Sequence, residues 1–267
     1  MAEYDKLSEV TYNPAVRAWR FRVKLHRIYP FYSCVTNSGP YHNYILADED
    51  GYKMGMNTYG NYKNFRGLEK EEGRWVEIFV VDVERAYPFF KTTRSPFRLI
   101  ASRLTQVRII EPLNNRLFFD FKSIHAIPRM HWCDLKYPIV VFNTEAHLDS
   151  PSGPRMEFYI RDNIDHQIRC VVTGTQAVAF RDGLDDMSGG GRRQVIVVLK
   201  MWRVCESTSK CCFYHADYFG PDDIWLQTEG GFADFRFNPR LPEVEEFRQS
   251  VLNSDPYVQK YGVEGLV

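Results

Sequence analysis

A chain of 267 residues exceeds the usual size of one domain, so two domains are expected. Hydrophobic residues make up 44% and charged residues 25%, which excludes a disordered chain and allows a core in each half. The net charge is zero but uneven: residues 1–128 carry 19 Lys and Arg against 14 Asp and Glu, and residues 129–267 carry 15 against 20. This asymmetry suggests a polyanion as the partner of the first half and protein as the partner of the second.

Aromatic residues and cysteines narrow the class further. Aromatic residues reach 15%, which favours a β-rich architecture or flat surfaces that stack on ligands. The six cysteines form no C-x-x-C motif, and their density is too low for a disulfide scaffold. Neither a signal segment nor an apolar run of membrane-spanning length occurs. The sequence therefore predicts a soluble protein of a reducing, intracellular compartment.

Six segments of the first half have the periodicity of regular structure. The first alternates apolar and basic residues, which predicts a half-buried strand with a basic outer face. The next two predict a hairpin, the fourth has helical spacing, and the last two are apolar strands. In chain order they are Trp19–His26, Tyr41–Ala47, Tyr52–Thr58, Asn61–Lys70, Trp75–Val83 and Phe97–Ile110. Three strands, a short helix and two further strands is the order of an OB-fold β-barrel.

The second half repeats this order at a distance of roughly 120 residues. Its strands are predicted over Tyr137–Phe142, Met156–Arg161, His166–Thr173, Gln194–Val204 and Lys210–Tyr218, with a helix over Thr175–Leu184. The sequence thus predicts an all-β fold with short helices, built as two tandem OB-fold β-barrels. The first barrel is assigned to residues 1–128, and the second, with a C-terminal helical tail, to residues 129–267.

Four stretches resemble the large subunit of replication protein A, in its plant-type form. They are Phe90–Phe97, Leu117–Ile124, Phe158–Asp162 with Val171–Gly174, and Phe237–Arg248. Together they span nearly the whole chain in the family's order, and the exit segment Phe237–Arg248 is the most specific of them. The resemblance implies sequence-tolerant binding of single-stranded DNA in nuclear replication, repair or recombination.

The candidate contacts combine planar faces for bases with cations for phosphates, as such sites require. The resemblance implies stacking at Phe90 and Phe89, at Tyr59 beside Thr58, and phosphate contacts by Lys91 and Arg94. The first strand adds its basic face and the aromatic residues at its end. The candidates are Arg22, Lys24, Tyr29, Tyr32, Lys53, Tyr59, Phe89, Phe90, Lys91 and Arg94.

The second barrel departs from the family's pattern. Thr173-Gly174 stands where the family has a Trp-Gly pair, and the predicted loop Cys205–Ser209 contains no aromatic residue. The first barrel is therefore the predicted binding module. The alternative is a protein-interaction adaptor, acting as a homodimer or in a partner complex through the acidic second barrel. RNA in place of DNA stays open, because stacking does not distinguish the 2′-hydroxyl.

The sequence offers no convincing metal-binding or catalytic motif. Adjacent residues of a strand point to opposite faces, so Cys211 and Cys212, followed by His215, make a poor metal site. Gly189–Gly191 lacks the Gly-Lys-Ser/Thr pattern of a phosphate-binding loop. No nucleophile elbow occurs. The sequence therefore predicts a protein without catalysis, metal or cofactor.

Overall fold

The structure, a computed structural model, divides the chain into two compact units, Met1–Phe119 and Asp120–Val267. It describes residues 4–12, 19–33, 38–60, 62–86, 92–118, 124, 127, 136–149, 151–188, 194–206, 224–228 and 233–266. The division falls before Pro128. Ile124 and Ile127 are buried in the core of the second unit. The stretch Leu117–Ile124 therefore crosses the division, because Ile124 belongs to the core of the second unit.

The first unit is one seven-stranded sheet. Its strands are β1 (Arg20–Ser33), β2 (Ser38–Ala47), β3 (Lys53–Thr58), β4 (Trp75–Phe79), β5 (Asp82–Arg85), β6 (Phe97–Ala101) and β7 (Gln106–Ile110), arranged in the order β5-β6-β3-β2-β1-β4-β7. Only β3 and β6 pair in parallel among these neighbours. Because β4 leads into β5 and β6 into β7 over a few residues, opposite ends of the sheet are joined by short connections. The sheet is therefore curled, as in an OB fold.

Two bends divide what the sequence predicts as continuous strands. Val80, between β4 and β5, has a φ of 55°, which is rare for a branched residue. The second bend, Ser102–Thr105, separates β6 from β7. The Thr105 hydroxyl donates to the carbonyl oxygen of Val80 at 2.7 Å. The Thr105 side chain thus joins the two bends. Beyond them β4 and β7 pair with each other next to β1, whereas β5 and β6 pair with each other next to β3.

The prediction of one continuous helix over Asn61–Lys70 is wrong. Two single-turn 3-10 helices stand there instead, Lys63–Phe65 and Leu68–Lys70. Gly67 lies between them in the left-handed region, with a φ of 86°, which ends the first turn. Phe65 and Leu68 are still buried in the core, so the spacing of the apolar residues indicated correctly that both face inward.

The second unit repeats the arrangement strand for strand. Its elements are β8 (Lys136–His147), β9 (Arg155–Arg161), β10 (Gln167–Thr173), α1 (Thr175–Ser188), β11 (Val195–Lys200), β12 (Arg203–Glu206), β13 (Ile224–Gln227), β14 (Asp234–Phe237), α2 (Pro242–Leu252) and α3 (Asp255–Tyr261). The sheet order β12-β13-β10-β9-β8-β11-β14 matches that of the first unit. Met201, with a φ of 60°, divides β11 from β12 as Val80 divides β4 from β5. The prediction of a mostly β fold with short helices is confirmed.

The end of the second sheet differs from its prediction. β13 and β14 pair with β10 and β11, in the positions of the last predicted strand. The segment predicted for that role, Lys210–Tyr218, lies outside the described residues. In the sequence this segment falls between the end of β12 and the start of β13.

Helices α2 and α3 cover the outer face of β11. Ile196 and Val198 on that face are buried against Val244, Val251 and Tyr257. Both faces of β11 are covered. This explains why Val195–Leu199 are all hydrophobic instead of alternating with polar residues. None of the helices in the described ranges combines the length and the apolar character needed to cross a bilayer.

An ion pair that fastens α3 to the β9–β10 turn should make stability depend on pH. Asp165 accepts hydrogen bonds from Lys260 and Tyr261, both at 2.6 Å, and these contacts lower the pKa of its carboxyl. A lowered folded-state pKa means a contribution present above the ordinary aspartate range and lost as the pH falls through the folded pKa. Thermal unfolding from pH 7 to pH 3 should show the loss in the native chain and a smaller one in Asp165→Asn. Equal pH profiles would contradict this assignment.

Candidate nucleic-acid interface

The hairpin of β1 and β2 extends beyond the rest of its sheet. Pairing between β2 and β3 ends at His42 and Thr58, whereas pairing between β1 and β2 continues to Ser33 and Ser38. The last residues of β1 and the first of β2 thus form a two-stranded projection. In an OB fold this hairpin connects the first two strands, and the loop there flanks the ligand-binding surface.

Aromatic side chains concentrate at the base of this projection. Phe31 faces Tyr41 across the hairpin, with ring centroids 5.5 Å apart, and meets Tyr59 edge-on at 5.8 Å. Tyr32, the next residue of β1, is 67% exposed, and Tyr59 is 47% exposed. We call Phe31, Tyr32, Tyr41 and Tyr59 the aromatic hairpin end. It includes two largely exposed phenol rings, and that of Tyr59 packs against the more enclosed Phe31.

The end of β3 distinguishes Thr58 from Tyr59. Thr58 is buried, and its hydroxyl donates to the carbonyl oxygen of His42 at 2.9 Å. Tyr59 leaves the strand and turns its ring towards Phe31. The exposure of Tyr59 is therefore compatible with base stacking by Tyr59 in place of Thr58, as the resemblance implies. The sequence places Phe31 with Tyr29 and Tyr32 at the end of the first strand, but Phe31 and Tyr41 are not among the predicted contacts. Their pairing across the hairpin depends on a register that a single strand does not reveal.

Tyr29 does not share this exposure. It lies opposite Asn43 in the hairpin and is buried. A buried ring offers no free face to a base, so the structure argues against Tyr29 as a stacking residue. Of the two tyrosines at the end of the first strand, Tyr32 is the accessible one.

The basic face predicted for the first strand is neutralised within the unit. The Arg22 guanidinium pairs with Glu49 at 2.7 Å, and that of Arg20 lies 3.3 Å from Glu77. Both guanidinium groups also lie over the ring of Tyr4, at 4.4 and 4.7 Å from its centroid. This face is therefore a network of internal contacts rather than a row of cations open to phosphate.

Lys24 is the clearest departure from its prediction. Its side chain is buried at 8% exposure, and its ammonium group donates to the carbonyl oxygen of Arg116 at 2.8 Å. Burial lowers the pKa of this amine, because the charged form is poorly solvated there. The position of Lys24 argues against a phosphate contact, since the exit segment of the unit covers it.

The remaining candidates lie in different parts of the sheet. Lys53 pairs with Ala47 beside the β2–β3 turn, at the end of the sheet where Arg22 and Lys24 lie. Arg22 and Tyr32 are ten residues apart on β1, or about 33 Å. The basic candidates and the aromatic hairpin end therefore do not form one compact site.

Four of the predicted contacts belong to the connection between β5 and β6, and the structure describes only one of them. Phe89, Phe90 and Lys91 fall outside the described residues, and Arg94 is exposed. The residues just before β6 lie over β3, because a Cβ added at Gly55 would stand 3.8 Å from the Thr92 hydroxyl oxygen. The described part of this connection therefore approaches the same sheet face that an OB fold uses for ligands.

The described residues contain no group of three or more His, Cys, Asp or Glu side chains placed to hold a metal ion. Cys211, Cys212 and His215 lie outside the described part of the chain.

Comparison with known proteins agrees with this architecture. A domain family described as "Domain of unknown function DUF223" matches residues 10–129. No curated protein matches the sequence significantly. Among solved structures, a replication protein A heterotrimer bound to single-stranded DNA shares 12% identity with a TM-score of 0.56. The match covers 97% of this chain and 55% of that chain, so this protein spans about half the length of its structural relative.

Two further structures are more distant. The tetrameric p202 HIN2 structure has 8% identity and a TM-score of 0.40, covering 85% of this chain and 96% of that chain. The structure of fission yeast Pot1 with single-stranded DNA has 10% identity and a TM-score of 0.37, covering 94% and 96%. At these identities the likeness concerns the fold. The likeness to the replication protein A structure, whose TM-score is 0.56, supports an OB-type fold for this chain.

Proposed function

We propose that this protein binds single-stranded DNA without acting on it chemically, and that the aromatic hairpin end of the first unit is a principal contact. The observation that carries the proposal is the pair of largely exposed tyrosines, Tyr32 and Tyr59, at the ligand-binding edge of an OB-type sheet. The replication protein A structure that shares this fold is bound to single-stranded DNA.

The exposed rings suit stacking on any base rather than recognition of one nucleotide sequence. Every base has a π-face, so exposed rings bind it with little sequence preference, at about 1–3 kcal/mol per stack. Phe31 supports Tyr59 edge-on, which restricts the ring before any ligand arrives. Arg94, with Phe89, Phe90 and Lys91 as the resemblance implies, completes the proposed site. A role in nuclear DNA replication, repair or recombination is proposed on that resemblance.

Removing both exposed rings should weaken binding strongly. In the double variant Tyr32→Ala and Tyr59→Ala, loss of one or two stacks should raise the dissociation constant for a thymidine oligomer by about 5- to 100-fold or more. The measurement is fluorescence anisotropy with a labelled oligomer at two salt concentrations. Tyr12→Ala is the matched control, because Tyr12 is a 52% exposed tyrosine of the same unit that belongs to neither β1 nor β2.

Two outcomes of this measurement, and one further titration, separate the alternatives. An unchanged affinity in the double variant, with tight binding by the native chain, would remove the hairpin from the site. No binding by the native chain would contradict the proposed function and favour a protein-interaction adaptor. A parallel titration with a uridine RNA oligomer decides between DNA and RNA, since the stacking surface alone does not.

A further inference from the structure

The edge strands β7 and β14 occupy the same place in their sheets but are covered differently. In the second unit β10 leads into α1, which contacts β14 as well as β9, β10 and β11. The ring of Phe180 on α1 lies 4.9 Å from the ring of Phe237 on β14. In the first unit β3 leads into the single-turn helices Lys63–Phe65 and Leu68–Lys70 instead. The described part of that unit contains no α-helix that could cover β7.

Register places an exposed isoleucine of β7 where the second unit has a covered phenylalanine. Ile109 pairs with Val76, and Phe237 pairs with Val197, the corresponding core residue of β11. Phe237 packs against α1 and the core, whereas Ile109 is exposed. Ile109 lies on the same strand face as Val107, which packs against the core of its unit. The inner face of β7 is therefore open to solvent at Ile109.

Two further exposed aliphatic side chains lie at the bends next to β7. Leu104 is 64% exposed in the bend between β6 and β7, and Val80 is exposed in the bend between β4 and β5. The hydrogen bond from the Thr105 hydroxyl to the Val80 carbonyl keeps the two bends in contact. Met201, which corresponds to Val80 in the second unit, is buried. We call Val80, Leu104 and Ile109 the aliphatic edge, which spans about 13 Å of strand from the bend to Ile109.

A turn that carries basic residues lies beside the aliphatic edge. The Asn64 side-chain amide donates to the carbonyl oxygen of Thr105 at 3.0 Å. This contact places the turn Lys63–Phe65 next to the bend that holds Leu104. Residues of the turn and of the bend therefore belong to one surface.

This surface carries an excess of positive charge. Lys63 and Arg66 at the turn and Arg103 in the bend are exposed, and none of them forms an ion pair within the described ranges. The nearest carboxylates along the chain are those of Asp82, which is exposed, and Glu69, which is half-buried. Three open cations thus flank the aliphatic edge, and we call them the flanking cations.

We propose that the aliphatic edge binds an amphipathic α-helix of a partner protein, whose apolar stripe is flanked by acidic side chains. In the second unit a helix already covers the corresponding edge strand, β14, so this edge of the sheet has a shape that accepts one. The length of the aliphatic edge corresponds to about two turns of helix, enough for apolar residues at i, i+3 or i+4, and i+7. The flanking cations set the charge of the partner, because opposite charges across an interface favour association.

The side chains of the edge favour a protein helix over nucleic acid. Single-stranded nucleic acid binds through planar side chains that stack on bases, whereas the exposed apolar side chains of the edge are aliphatic. The aromatic hairpin end supplies planar rings in the same unit. The first unit thus contacts a partner protein through a surface of its own, although the charge asymmetry of the sequence suggested protein as the partner of the second half.

The test uses the full chain and a fluorescein-labelled helical peptide of about 18 residues, with leucines on one face and glutamates beside them. Fluorescence anisotropy measures its dissociation constant. Leu104→Ala combined with Ile109→Ala should raise this constant about 10-fold or more, because the variant buries less apolar area against the helix.

The matched control is Leu117→Ala, which should leave the dissociation constant unchanged. Leu117 is an exposed leucine of the same unit. Its neighbour Arg116 accepts a hydrogen bond from Lys24, which pairs with Trp75 at the start of β4. The control position thus lies at the opposite end of β4 from Val80.

The charge of the partner is tested by a second pair of measurements. Lys63→Gln combined with Arg103→Gln should weaken binding of the glutamate peptide about 2- to 10-fold at low salt and less at high salt, because exposed ion pairs are screened. A peptide with lysines in place of the glutamates should bind the native chain about 10-fold more weakly.

Several results would overturn the inference. They are the absence of saturable peptide binding by the native chain, equal affinities of the Leu104→Ala and Ile109→Ala double variant and Leu117→Ala, and equal binding of the lysine peptide. Loss of thymidine oligomer binding in the Lys63→Gln and Arg103→Gln variant, without peptide binding by the native chain, would assign this surface to nucleic acid instead. The oligomer titration of the native chain tests the proposed function separately, so either proposal can fail alone. Circular dichroism melting shows whether each variant is folded, and the glutamine variant, altered only at exposed side chains, keeps the test valid if the alanine variant is not.

Discussion

Substituting alanine for both Arg20 and Arg108 should lower the free energy of unfolding by about 3–5 kcal/mol, because it strands a buried carboxylate. Glu77, on the outer face of β4, is only 1% exposed. It receives hydrogen bonds from Arg20 at 3.3 Å, from Arg108 and from the Tyr4 hydroxyl. Without the two guanidinium groups the Glu77 carboxylate keeps the Tyr4 hydroxyl as its one donor among these three. Chemical denaturation of the full chain measures the loss.

The matched control is the other arginine–glutamate pair of the same sheet. Arg98 and Glu84 face each other on β6 and β5, and Glu84 is half exposed, so Glu84→Gln should change stability by less than about 1 kcal/mol. A loss as small as that of Glu84→Gln would show that water solvates Glu77 in the folded chain.

Alternating patterns identify strands well because burial on one face of a sheet is a local property. β3, β9 and β10 stand within a residue of their predicted ends, and α1 begins where its spacing indicates. The bends at Val80 and Met201 escape such reasoning, since an apolar run stays apolar through a change of sheet partner. The tie from Thr105 to Val80 that fixes one bend joins residues 25 positions apart.

The candidate site was less accessible to prediction than the fold. An alternating basic strand does not reveal that Lys24 is covered by Arg116, since that contact spans 92 positions. Exposure of Tyr32 and burial of Tyr29 likewise depend on where the hairpin leaves the sheet. Likewise, only the register shows that Arg169 lies opposite Tyr159 and Trp225.

Phe180→Ala should destabilise the second unit by about 3–5 kcal/mol, because it removes the central ring of its core. Phe180, on α1, is fully buried and stacks on Phe158 at 4.3 Å between ring centroids. Its ring also lies 4.8 Å from Phe235 and 4.9 Å from Phe237. The space left behind cannot easily be refilled, since α1 is already held close to β14: a Cβ at Gly183 would stand 2.7 Å from the Phe237 ring.

The control for Phe180→Ala is Ile164→Ala, which removes a comparable apolar group from a 66% exposed site of the same unit and should change stability by less than about 0.5 kcal/mol. Unfolding followed by tryptophan fluorescence suits the measurement, because Trp202 lies 6.2 Å from the Phe180 ring. A loss below about 1 kcal/mol would mean that the core collapses around the cavity.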